Sequence, residues 1–178
     1  MSVRVTAIEA EAYSPFGSVI MAARGDVAPR AANQGTAEKY SGLANFDNLR
    51  ISDAPVNVSV FRVAPHTDAS VDVRLLEKHP ESTQIFVPMN AQRYLVIVAL
   101  GEEAPDLSSL RAFMVRPDQA ISYHPGVWHH PMVGLDCSTD FVCLTHEDGS
   151  SADCVIHQIP EAQRVVVQFG HTLELAHG

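Results

Sequence analysis

Lysine is nearly absent. Lys39 and Lys78 are the only two, and the 12 basic residues face 21 acidic ones, for a formal net charge of −9. No stretch of the chain is basic. Nucleic acid and anionic lipid are gripped by clustered positive charge, so neither partner is expected. Cysteine is scarce as well. Cys137, Cys143 and Cys154 are odd in number and show no CxxC spacing, which argues against a disulfide framework or a zinc ribbon. Cys143 sits in the apolar run Phe141–Leu144, where a thiol packs rather than reacts. Long apolar runs are missing too. The longest, Tyr94–Leu100, is strand-sized, far from the roughly 20 residues a membrane helix needs. The first residues do not form an apolar signal region. A soluble, cytoplasmic protein is the expectation.

What is present suits a packed domain. Of 178 residues, 46% are hydrophobic and 19% charged, too apolar for disorder and long enough for one core. One domain over residues 1–170 is expected, with a short frayed tail over 171–178. Short apolar runs recur between turn residues. Val56–Val63 alternates, the mark of a half-buried strand. Strands are also read at Val71–Leu76, Gln84–Val87, Phe113–Val115, Ala120–Tyr123, Asp140–Leu144, Val155–Ile159 and Val165–Phe169. Arg93–Ala99 is Val/Ile-rich and reads as buried on both faces. Helical signals are few: a turn or two over Ala7–Tyr13, and a short helix capped by Asp106. The pattern predicts an all-β barrel or sandwich, because the helices that link parallel strands are missing. Gly25–Tyr40 is polar and aperiodic, either a connector or a loop that folds over a site.

Two places concentrate residues able to do chemistry. In Leu75–Phe86, Glu77 and His79 stand two apart and share one face of a strand. Gln84 follows five residues after His79, beyond a turn. Taken alone, this is an ordinary polar hairpin. In Tyr123–Pro131, three of the nine histidines and the only tryptophan lie together around the Pro125–Gly126 turn. A strand there sends His129 and His130 to opposite faces. Together the two places offer imidazole from His79 and His129 and oxygen from Glu77 and Gln84, a set a divalent metal accepts. Arg62 is the third feature. The alternation places it with Val56, Val58 and Val60, on the face expected to be core-facing. An arginine there requires an anion, either a carboxylate side chain or a substrate carboxylate met bidentately.

The spacing Glu77-x-His79-x4-Gln84, followed by His124-x-Gly126-x-x-His129, resembles the two cupin motifs with several ligand positions replaced. A closer resemblance covers about residues 3–168. Tyr13–Ile20, Asn33–Gly35, Lys39–Tyr40, Phe61–Arg62, Leu76–Pro80, Ser82–Met89, Val98–Gly101, Pro105–Ser108, Leu110–Phe113, Tyr123–His124, Val127–Pro131 and Thr139–Phe141 are similar to the ureidoglycolate lyase family of allantoin (purine) catabolism. That resemblance implies a cupin-like β-barrel, the double-stranded β-helix or jelly roll, with a few short helices. It implies a homodimer and cleavage of (S)-ureidoglycolate to glyoxylate and urea, the work of a carbon–nitrogen (amidine-type) lyase.

Ureidoglycolate is a carbinolamine bearing a carboxylate. Its cleavage takes a base for the hydroxyl and an acid for the departing nitrogen. It takes no redox cofactor and no covalent nucleophile. The resemblance leads to an assignment of roles. Arg62 holds the carboxylate, with Lys78 as a second cation. His129, with Glu77, is the base, and His79 or His130 is the acid. Tyr40 and Asn33 close over the urea end, and Gln84 and Trp128 complete the substrate contacts. One divalent ion at Glu77, His79, Gln84 and His129 is the cofactor this set would hold. Two other functions compete: an amidohydrolase on the same substrate, releasing ammonia and carbon dioxide, and a non-catalytic cupin binder of a small carboxylate.

Overall fold

The structure, a computed structural model, describes residues 1–50, 53–150 and 153–170. The expected tail over 171–178 lies outside them. β-branched and alternating runs become strands throughout. Arg93–Ala99 is the most buried, with every side chain from Tyr94 to Ala99 inside. It runs through the middle of a nine-stranded sheet. The order is Val155–Gln158, Leu75–Lys78, Trp128–His129, Arg93–Ala99, Arg111–Val115, Ser2–Ala7, Val165–Gln168 and Ser70–Val73, with Val133–Leu135 also on Arg93–Ala99. Ser2–Ala7 pairs in parallel with its neighbours on both sides. A second, five-stranded antiparallel sheet runs Val19–Ile20, Ala120–Tyr123, Gln84–Pro88, Thr139–His146 and Val56–Val63.

The larger sheet curls. Ser70–Val73 and Leu75–Lys78 are neighbours in the chain, separated by Arg74, yet stand near opposite ends of the strand order. The expected single strand Val71–Leu76 is therefore two. The curl encloses one core, around Leu76, Leu95, Ile97, Trp128, Val165 and Val167. A second core fills the space between the two sheets, around Tyr13, Phe86, Tyr94, Phe113, Tyr123 and Phe141. The cupin-like all-β barrel is thus the observed architecture. Among the described residues, helix is limited to Ala10–Tyr13 and three short 3₁₀ turns. The turn at Leu107–Ser109 starts at Asp106, whose carboxylate accepts from the Ser108 N–H. That cap was legible, and stands as a short side-chain oxygen at a helix start should.

Two elements differ from expectation. Ser2–Ala7, to which the sequence assigns no element, is a strand held by partners far along the chain. The polar segment Gly25–Tyr40 contains a small hairpin, Arg30–Ala32 with Ala37–Lys39, forming a separate two-stranded sheet. Asn33, Gln34 and Gly35 at its tip all take positive φ. Among the described residues, no helix is long and apolar enough to cross a membrane.

Candidate active site

The donors converge because strand pairing puts them there. Glu77 lies directly opposite His129 in the ladder between Leu75–Lys78 and Trp128–His129. His79 stands one residue past that strand, on the same side as Glu77. From the facing sheet, Gln84 lies opposite Tyr123. Glu77, His79 and His129 each bring one ligand-type atom within 4.8 Å of the others. The His79 and His129 rings stack at 5.6 Å.

His129 is buried, and its Nδ1–H donates to the Val127 carbonyl at 2.9 Å. That bond leaves the Nε2 lone pair free, 3.7 Å from Glu77 Oε1. Burial, reinforced by His79 nearby, lowers the His129 pKa to about 3. The imidazole is therefore neutral at neutral pH, and its approach to Glu77 is not an ion pair. Burial pushes the Glu77 carboxyl up from its usual range, with His79 opposing. Among the described residues, His129 Nε2 and Gln84 Oε1 are buried without a hydrogen-bond partner. Such atoms normally find one. The unpartnered His129 Nε2, beside a carboxylate and a second imidazole, fits a divalent cation of the borderline class, and Gln84 Oε1 is a further free acceptor on the strand paired with Tyr123.

Tyr123 is the residue that sequence reasoning missed as a site member. Its ring lies flat on His129, with centroids 4.0 Å apart and planes 8° from parallel. Burial, with Glu77 and Cys143 nearby, pushes its hydroxyl well above the usual range. The strand alternation of Ala120–Tyr123 was available as a signal. Cys143 is buried behind the site, its thiol pushed up to about 12 by burial, and acts as packing.

Several expected site residues lie elsewhere. Arg62 is 77% exposed and holds Asp140 bidentately at 2.8 and 2.9 Å. The inward face of its strand is that of Asn57, Ser59 and Phe61, and Val56, Val58 and Val60 point outward. Phe61 packs on Phe86 at the inner side. The expected orientation was thus inverted, and the required anion is a side chain. Trp128 is wholly buried in the other core and donates to the Gly101 carbonyl. Lys78 lies over the Trp128 ring and donates to the Glu102 carbonyl. Both alternate with Glu77 or His129 along their strands, so both face away from the donors. His130 faces away for the same reason, its Nδ1 bonded to the Pro131 carbonyl at 2.7 Å. Tyr40 donates to Glu38 on the exposed hairpin, whose tip carries Asn33. The hairpin's own pairing, not the site, holds both.

Comparison with known proteins adds three findings. A family described as ureidoglycolate lyase matches residues 1–167. The ureidoglycolate lyase of Escherichia coli K12 is 37% identical over 163 residues, covering 92% of this chain and 98% of that protein. Solved structures with a similar fold include a 3,4-ketoisomerase from Helicobacter canadensis. It is 11% identical, covers 78% of this chain and 89% of its own, and has a TM-score of 0.45. Another is the RmlC epimerase of Mycobacterium tuberculosis, 14% identical, covering 82% and 69%, with a TM-score of 0.44.

Proposed function

The chain belongs to the ureidoglycolate lyase family, and on that footing we propose that its Glu77–His79–His129 centre cleaves (S)-ureidoglycolate to glyoxylate and urea. The observation that carries the reading is the convergence of these three donors, with His129 Nε2 buried and unpartnered among them.

Glu77 takes the hydroxyl proton, since burial makes its carboxylate more basic than usual. The oxygen becomes the aldehyde as the carbon–nitrogen bond breaks, and His79 gives a proton to the departing ureido nitrogen. The proton on Glu77 then returns to His79 across the few ångströms between them, so the cycle closes without a net proton. His129 stays neutral and is held by Val127 on one side and Tyr123 on the other. Gln84 orients polar groups from the facing sheet. Glu77, His79, Gln84 and His129 would alternatively hold a divalent ion, which when bound would take the place of the His79 proton, supply the positive charge that Arg62 and Lys78 do not bring and acidify a hydroxyl.

The same reading includes a homodimer working in the cytoplasm, in allantoin breakdown. The outer face of the five-stranded sheet supports the dimer. Val58, Val60 and Val87 are exposed on it, and Val142 and Leu144 stand in register between them. A second copy would cover this apolar face.

Product analysis is the test. Purified protein is given fresh ureidoglycolate, with and without chelator, and urea, ammonia and glyoxylate are counted. Equal urea and glyoxylate above the spontaneous rate are expected. Ammonia in place of urea would establish the amidohydrolase. Binding without turnover, even after divalent ions are restored, would leave the non-catalytic binder.

A further inference from the structure

Glu77 and His129 are aligned by the ladder that pairs them. His79 stands past the end of that ladder, with its carbonyl accepting the Gly126 N–H at 2.9 Å and the chain beyond it leaving the sheet. It begins the connection 79–83, which crosses from one sheet to the other and delivers Gln84. What fixes that connection is a buried polar knot outside the site. Arg50 and Asp153 have side chains only 7% and 8% exposed and pair at 3.0 Å. The Asp153 carboxylate accepts the Glu81 N–H at 2.7 Å through one oxygen. Its other oxygen meets Ser82 Oγ at 3.4 Å, and that hydroxyl lies 2.8 Å from Thr145 Oγ1. Arg50 also donates to the His146 carbonyl at 2.6 Å.

The segment before Arg50 completes the clamp. Leu49 N–H donates to the Glu81 carbonyl, and Thr83 N–H to the Asp47 carbonyl. Asp47 N–H returns to Thr83 Oγ1. Glu81, Ser82 and Thr83 are thus each held, three of the four residues between His79 and Gln84. A buried ion pair is poor evidence for stability, because desolvation offsets most of the attraction. It is an effective way to hold three backbone segments in one arrangement.

We propose that Asp153, fixed by Arg50, is a positioning residue that sets the place of the His79 imidazole relative to Glu77, Gln84 and His129. The proposal rests on the lyase reading for its effect on turnover, but not for its effect on His79. Catalytic groups misplaced by about 1 Å lose on the order of 100-fold in rate. Asp153→Ala should therefore lower kcat about 10- to 100-fold, with KM moving less. In ¹⁵N-histidine-labelled protein its His79 ring signal should shift while the His129 ring signal holds. In a His79→Ala background the same change should lower the rate no further, because the two act as one unit.

If Asp153→Ala fails to fold, Asp153→Asn serves. It keeps an acceptor for Glu81 and sets an amide N–H₂ against Arg50, so it should give a smaller shift of the same kind. An unmoved His79 signal with unchanged kcat would overturn the proposal. So would both histidine signals moving together while the rate follows only the unfolded fraction. A wild-type protein that makes no urea would defeat the lyase reading alone, since the His79 signal still reports the clamp.

Discussion

His129 combines burial with a free Nε2, and each has a measurable consequence. His129→Ala removes a ring packed under Tyr123 and the donor opposite Glu77. Urea production should fall at least about 100-fold while circular dichroism shows the fold retained. Near-normal turnover would end its role. The lowered pKa also makes stability depend on pH. Below its ordinary value of 6.5, His129 is protonated in the unfolded chain but stays neutral in the folded one down to about 3. Stability therefore falls as pH drops through that window, by up to about 1.4 kcal/mol per unit. Above 6.5 this residue contributes no slope. Urea denaturation in chelator at pH 7.5, 5.5 and 4.5 should show a steep loss in the parent chain and a flatter one in His129→Asn. Equal slopes would mean that the imidazole is more solvated than its burial indicates.

The elements carrying the site depend on close backbone approaches that their residues permit. Gly17 follows the short helix and lies against the strand Ala120–Tyr123, where Ser18 and Ser122 exchange hydrogen bonds. A Cβ at Gly17 would sit 1.8 Å from the Ser122 carbonyl oxygen. Gly17→Ala should cost about 3 kcal/mol or more, since backbone must move. Gly126 in the turn before His129 has φ +80 and nothing within 4 Å of an added Cβ. Gly126→Ala should cost only about 1 kcal/mol, the strain of a left-handed residue. Chemical denaturation of the two variants ranks them, and a reversed order would contradict the packing at Gly17. At this scale the sequence was legible where side-chain period decides structure. Val56–Val63, Arg93–Ala99 and Ala120–Tyr123 were readable as strands. Ser2–Ala7 was not, because its parallel partners begin over 100 residues away.

For the whole molecule, the proposed homodimer is tested at the apolar outer face of the five-stranded sheet. Light scattering should give twice the chain mass. Leu144→Glu, which places a charge on that face, should yield a monomer with its secondary structure kept. A parent chain that is monomeric at micromolar concentration would leave the face without its second copy. The same face explains why Arg62 was misplaced. Alternation tells which residues lie together, but not which side a strand turns to the barrel. Here Asn57, Ser59 and Phe61 turn toward the inner side, and the valines go out.

By itself the sequence determined the all-β class, through short β-branched runs without intervening helices. It also determined that Glu77 and His79 share a face and that His129 and His130 do not, because strand side chains alternate. Only the tertiary structure decided which members of the motifs meet. Lys78, Trp128 and His130 adjoin the donors in sequence yet face the other core. Tyr123 and Gln84 arrive from the opposite sheet. Arg50 and Asp153, 103 positions apart in the sequence, join beneath the turn that carries His79. Such contacts depend on how two sheets close on one another, and no local period encodes that closure.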